Sequence, residues 1–153
     1  MSQIDARLSA LGIDLPPAPA PAANYVPFVR TGNQLFVSGQ ISIGADGHMI
    51  TGKLGAGLEV EAGAAAARRC GLALIAQAKA ALGDLDRVTR VVKLVGFVNS
   101  TADFADQPRV INGCSDLMVE VFGEAGRHAR SAVSAASLPL GVAVEIEAIF
   151  EVA

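Results

Sequence analysis

The stretch Val142-Ala143-Val144-Glu145-Ile146-Glu147-Ala148-Ile149-Phe150-Glu151-Val152 alternates along its length, as a β-strand does when its two faces meet different surroundings. Side chains two apart share a face, so Glu145 and Glu147 belong on the same one. Upstream, past the loop Gly126-Arg127-His128, Ser131-Ala132-Val133 reads as another strand. Before that loop the period changes. Val110, Leu117, Val121 and Phe122 recur at helical spacing between Gln107 and Phe122, and Gly123 lies beyond them as a stop. Val88 to Val98 is nearly continuously apolar and β-branched, which suits a central strand covered on both faces. From Glu59 to Leu82 runs an Ala-rich segment with Val60, Ala67, Leu74, Ile75, Ala78 and Leu82 on one stripe, and Gly83 fits its C′ cap. The spacing predicts a long helix there.

Nearer the N-terminus, Tyr25-Val26-Pro27-Phe28-Val29-Arg30 and Gln34-Leu35-Phe36-Val37-Ser38-Gly39 flank Thr31-Gly32-Asn33 and read as a hairpin. The glycine-rich run from Gly44 to Gly57 is turn chemistry around a short strand expected near His48-Met49-Ile50. Residues 2–11 carry Ile4, Leu8 and Leu11 at near-helical spacing and end at Gly12, so a short amphipathic helix opens the chain. Leu15-Pro16-Pro17-Ala18-Pro19-Ala20-Pro21 holds four of the seven prolines and reads as a stiff, extended strap. The order ββ(β)αβαββ, with no internal repeat, implies one α+β domain over 1–153 with two helices on one sheet face. Within it, 1–24 form the helix and strap and 25–153 the core.

Composition narrows the function. Of 153 residues, 52% are hydrophobic and 18% charged, against about 25% charged in an average domain, which excludes disorder. Glycine or charge interrupts every apolar run before the roughly 18 residues a membrane span needs. The apolar surplus suggests surface shared with other subunits. Twelve Lys and Arg against fifteen Asp and Glu give −3, with no more than two basic residues together, which speaks against nucleic acid as a partner. Cys70 and Cys114 lie in unrelated segments with no CxxC, the usage of a protein with reduced thiols. Asp5 and Arg7 interrupt the opening turns where a signal peptide would need its apolar stretch, so the cytoplasm is the expected compartment.

Motifs for nucleotides and metals are weak. Gly47-His48-Met49-Ile50-Thr51-Gly52-Lys53 matches GxxxxGK, but Leu54 stands where a phosphate loop needs Ser or Thr, and a glycine-rich turn is the plainer account. His48 and His128 are far apart, with no i+4 histidine and no cysteine nearby, so no metal site is expected. Both thiols read as small buried hydrophobes. What remains is charge on apolar strands: Arg130 before Ser131-Ala132-Val133, and Glu145 with Glu147. A glutamate facing apolar neighbours is either paired or raised in pKa, a condition that suits general acid or base work. A solvated outer face with a salt bridge is the alternative reading of the same residues.

The same segments carry a resemblance. His128-Ala129-Arg130-Ser131-Ala132-Val133, then Leu138-Pro139 and Val144-Glu145-Ile146-Glu147-Ala148, resemble the signature of the RidA/YjgF family of reactive-intermediate deaminases, also labelled L-PSP endoribonucleases. Leu35-Phe36-Val37-Ser38-Gly39-Gln40-Ile41, Gly83-Asp84-Leu85-Asp86-Arg87-Val88, and Phe97-Val98 with Asp103-Phe104 are similar to further stretches of it, in order, from about Tyr25 to Val152. The resemblance implies a chorismate-mutase-like α+β subunit in a homotrimer whose sheets form a central barrel, with ligand sites in the clefts between subunits. It implies hydrolysis of a 2-imino acid or enamine to a 2-oxo acid and ammonia, without a cofactor or metal. Arg130 takes the place of the arginine that grips the substrate carboxylate, and Glu145 that of the glutamate that activates water. Tyr25, Ser38 and Asn112 fall on polar lining positions. Ala132 stands where many deaminating members have a cysteine, Ala23-Asn24 replaces a common Gly-Pro, and the helix and strap are additions, so the resemblance is to a divergent branch. A non-catalytic module binding a small carboxylate or a protein partner, and an RNA-cleaving protein, are the alternatives.

Overall fold

Hydrophobic period and turn chemistry place ten α-helices and β-strands along the described residues. In the computed structural model, which describes residues 2–21 and 23–153, these are α1 (Gln3–Ala10), β1 (Phe28–Thr31), β2 (Gln34–Ile41), β3 (Lys53–Leu54), β4 (Gly57–Leu58), α2 (Val60–Leu82), β5 (Val88–Asn99), α3 (Gln107–Phe122), β6 (Ala129–Ala135) and β7 (Val144–Val152). Five strands form one mixed sheet in the order β1-β2-β7-β5-β6, and β3 and β4 form a small parallel pair. All pairings in the main sheet are antiparallel except β5 with β6. No described helix is long and apolar enough to cross a membrane.

The sheet has two unlike faces because β7 alternates. Val144, Ile146, Ala148, Phe150 and Val152 are buried under the helices. Glu145, Glu147, Ile149 and Glu151 turn the other way, as the period of two requires. Both α2 and α3 pack on the buried face, with Leu74, Ile75, Ile111 and Leu117 fully enclosed. The helices approach closely at small residues: a Cβ on Gly113 would overlap the carbonyl of Ala64, and one on Gly71 would meet Leu117 at 2.8 Å. Cys70 and Cys114 are free and buried at this seam, and burial pushes the Cys114 thiol up to about 12. They are inert packing residues.

Three of the differences from the expectation have a local cause. β1 starts at Phe28, three residues late, because Pro27 has no N–H and its carbonyl instead accepts from the Ser38 amide. The strand expected near His48-Met49-Ile50 is absent: only single bridges join Ile43 to Met49 and Thr51 to Val142, and the short ladder falls at β3 and β4. Gly47 and Gly52, with φ of 83° and 125°, turn the backbone out of strand geometry on either side of that tripeptide. β6 is longer than the three residues read from sequence, since parallel pairing with β5 runs from Lys93↔Ala129 to Asn99↔Ala135.

The GxxxxGK stretch leads into β3 rather than a helix, so it lacks the N-terminal amides that grip phosphate. Lys53 instead pins the loop, donating to Asn99 Oδ1 at 2.7 Å and the Ala136 carbonyl at 2.6 Å. The N-terminal helix is docked at both ends. Asp86 accepts from the Gln3 and Ile4 amides, each at 2.9 Å, which holds its carboxyl below the usual range, and Arg7 donates to the Glu120 carbonyl at the end of α3. The proline strap then crosses α2, where the buried Gln77 amide donates to the Pro19 carbonyl at 2.7 Å.

Candidate functional site

Glu145 owes its setting to an irregularity in the neighbouring strand. Pairing of β2 with β7 runs Val37↔Ala148 and then Gln40↔Ile146, so Ser38 and Gly39 together oppose one residue. This bulge aims Ser38 out of the ladder. Gly39 is glycine for a local reason: a Cβ there would lie 2.6 Å from Glu145 Oε2. Glu145, Ser38, Gly39 and Tyr25 line one cleft of about 490 Å³, walled by the strap at Pro19 and Pro21 and by Pro139 and Leu140. Ser38 Oγ donates to the Val26 carbonyl at 2.8 Å, which ties the bulge to the segment carrying Tyr25. Burial raises the Glu145 carboxyl above its usual value, and the neighbouring charge of Glu147 adds to this. Among the described residues neither Glu145 nor Glu147 forms an ion pair within the chain, and Glu147 is exposed while Glu145 is half-buried.

Arg130 lies elsewhere. It pairs with Leu94, which pairs in turn with Ala148, so its side chain leaves the sheet on the helix-covered face. Glu145 is three residues from Ala148 on β7 and therefore points to the opposite face. Within one chain the two residues do not meet. Arg130 reaches α3 instead: Nη1 donates to Asn112 Oδ1 at 2.9 Å and Ser115 Oγ at 3.1 Å, and Nη2 to the Pro108 carbonyl at 3.3 Å. With Asp116, Arg127 and His128 these side chains line a shallow concavity of about 270 Å³. Ala132 lines neither hollow; it is half-buried beside Gly96, one pleat along from Arg130.

The sequence-predicted residues thus fall into two partial sites, Tyr25 with Ser38 and Glu145, and Asn112 with Arg130. Reasoning from sequence missed Gly39, Gln77, Ser115 and His128. His128 shares a face with Arg130 by period two, a signal that was available; Ser115 joins them only because α3 crosses β6. Among the described residues, no group of three or more His, Cys, Asp or Glu could hold a metal.

Comparison with known proteins gives the family. A family model described as YjgF/chorismate mutase-like, with the label endoribonuclease, matches residues 5–151 and so takes in most of α1 and the strap. The protein TCP17 of Trypanosoma cruzi is 56% identical over 97% of this chain and 94% of its own length. The crystal structure of Atu1372 from Agrobacterium tumefaciens is 48% identical, with a TM-score of 0.89 over 98% of this chain and 94% of that one. TdcF of Escherichia coli, solved with bound serine, is 26% identical, with a TM-score of 0.64 over 89% of this chain and 94% of that one. From residue 5 almost to its end, the chain belongs to the RidA/YjgF family.

Proposed function

We propose that the protein hydrolyses small 2-imino acids, or their enamine tautomers, to 2-oxo acids and ammonia in clefts between neighbouring copies of the chain. One observation carries this reading: Arg130 and Glu145 lie on opposite faces of one sheet, each in a partial site, so a second copy is needed to bring both to one ligand. Exposed apolar side chains on the outer face, Val29, Phe36 and Val133, give that copy a surface to cover. A homotrimer with sheets facing a central axis is the assembly the family resemblance implies. The serine bound to TdcF supports a small carboxylate as the ligand class.

In this reaction the Arg130 guanidinium takes the substrate carboxylate through parallel hydrogen bonds, which sets the C=N carbon against Glu145 of the neighbouring copy. Glu145 accepts a proton from water as its oxygen bonds that carbon and the π electrons move to nitrogen. The proton then passes to nitrogen, the new hydroxyl gives its own proton to the same nitrogen by way of Glu145, and the C–N bond breaks as the C=O bond closes, releasing ammonia and the 2-oxo acid. A carboxyl raised by burial suits this exchange, because it accepts and returns a proton near neutral pH more readily than an ordinary one. No cofactor enters the balance. The family's endoribonuclease label fits this chain poorly: a net charge of −3, one tyrosine and no tryptophan do not make a basic groove with stacking aromatics.

The test is ammonia release from freshly generated 2-aminoacrylate and larger 2-imino acids, with Arg130→Ala beside the wild type. Acceleration that vanishes in the variant is the expected outcome. A wild type no faster than the uncatalysed reaction on every imine would leave a carboxylate-binding module in its place.

A further inference from the structure

The Arg130 concavity holds a hydrogen-bond chain that the proposed reaction does not use. His128 Nδ1 lies 2.6 Å from the Gly126 carbonyl, and a carbonyl can only accept, so Nδ1 carries the ring proton. In a neutral imidazole Nε2 is then the acceptor, and it lies 2.9 Å from Ser115 Oγ. With the ring neutral, the Ser115 hydroxyl donates to His128, which leaves its lone pairs facing Arg130 Nη1 at 3.1 Å. Every donor runs one way, from Arg130 through Ser115 and His128 to the backbone of Gly126.

The polarity of this chain decides which edge of Arg130 is presented. Both hydrogens of Nη1 are taken, by Asn112 Oδ1 and Ser115 Oγ, and one of Nη2 by Pro108. What remains among the described partners is the Nε–H and one Nη2–H, two donors for the two oxygens of one carboxylate. A serine free to rotate could point its own proton at Nη1, and that would repel the guanidinium rather than hold it. His128 removes that freedom.

We propose that Ser115 and His128 act as a positioning couple, with His128 orienting the Ser115 hydroxyl so that it locks Arg130 with its Nε–H and remaining Nη2–H open to a planar 2-oxo or 2-imino carboxylate. This rests on the reading of Arg130 as the carboxylate anchor. Neither residue touches substrate, and His128 acts only through Ser115.

Calorimetric titration with 2-oxobutanoate tests the couple, using Ser115→Ala, His128→Phe and the double variant. Each single variant is expected to weaken binding roughly 10-fold, about 1.4 kcal/mol. The double variant is expected to be no worse than Ser115→Ala alone, because a residue acting only through another adds nothing once that other is gone. Ser115→Thr, which keeps the hydroxyl, should bind within about 3-fold of wild type. Unchanged affinity in either single variant, or effects that multiply in the double, would overturn the couple. Arg130→Lys separates the two readings: if it binds as wild type does, the anchor reading falls. If it fails to bind while the Ser115 and His128 variants bind normally, only the couple falls. A ligand-free measurement stands beside these. The ¹⁵N spectrum of His128 should show the Nδ1–H tautomer, and an Nε2–H tautomer would reverse the chain and overturn the proposal.

Discussion

Glu145 and Gly39 form a pair in which each explains the other. The carboxylate has room only because position 39 has no Cβ, and the glycine stands at a bulge where its strand leaves the ladder. Gly39 is not in the left-handed region, so alanine is conformationally acceptable there, and the obstructing atom is the end of a flexible side chain. Gly39→Ala should therefore cost less than about 1 kcal/mol in stability while displacing the carboxylate. On the proposed reaction, turnover falls roughly 10-fold or more with Tm nearly unchanged, a contrast that steady-state kinetics and thermal unfolding together resolve. Glu145 itself makes a second prediction. Its carboxyl is raised in the folded state, first by burial and then by Glu147, so the ionised form costs stability at pH above both the unfolded and folded values. That cost fades as pH falls through the raised value. Glu145→Gln should raise Tm by at most about 3 °C at pH 8, and the difference should nearly disappear by about pH 4, just below the ordinary glutamate value. A gain that persists at pH 4 would mean that packing, not charge, sets it.

At the scale of elements, the strap is held to the site by an amide relay. Gln77, buried in α2, donates to the Pro19 carbonyl at 2.7 Å and to Gln40 Oε1 at 3.4 Å, and Gln40 donates to the Ser38 carbonyl at 2.9 Å. The relay runs from the strap, through α2, to the bulge that presents Ser38. Gln77→Leu keeps the bulk but strands the Gln40 side chain and releases Pro19. The expected loss is about 1–2 kcal/mol, a Tm drop of roughly 3–6 °C, with faster hydrogen exchange at the Asn24 to Val26 amides. Unaltered exchange there would show that the strap is held by its prolines alone. None of this relay was legible in the sequence. The strap itself was, because prolines fix local geometry, and so were α2, α3 and β7, because their periods of 3.6 and 2 are written in consecutive residues. The strand expected near His48 failed because glycines at 47 and 52 left the backbone free to turn, and single bridges took its place. The Ser38 bulge and the Ser115–His128–Arg130 chain depend on which strand slips against which neighbour and where α3 crosses β6, and spacing along one segment does not encode that.

The whole molecule shows why Arg130 and Glu145 could both be singled out from sequence and yet not be found together. Strand parity sends Arg130 to the helix-covered face and Glu145 to the open one, and no local movement within one chain reverses parity. If one copy supplies Arg130 and its neighbour supplies Glu145, then Arg130→Ala and Glu145→Gln are defects in different halves of each cleft. Each variant alone makes only broken clefts. Mixed assemblies, formed by dissociating and reassociating equal amounts of the two, contain clefts built from the intact Arg130 of one variant and the intact Glu145 of the other. Random exchange makes that combination in about a quarter of clefts, so activity should return to roughly 25% of wild type from two inactive preparations. The recovery should require exchange: mixing without dissociation restores nothing. If the site were completed within one chain, every cleft in the mixture would still carry one defect and no activity would return. Recovery thus measures directly whether the sheet's two faces are joined across a subunit boundary, and its size reports how many distinct chains each cleft needs.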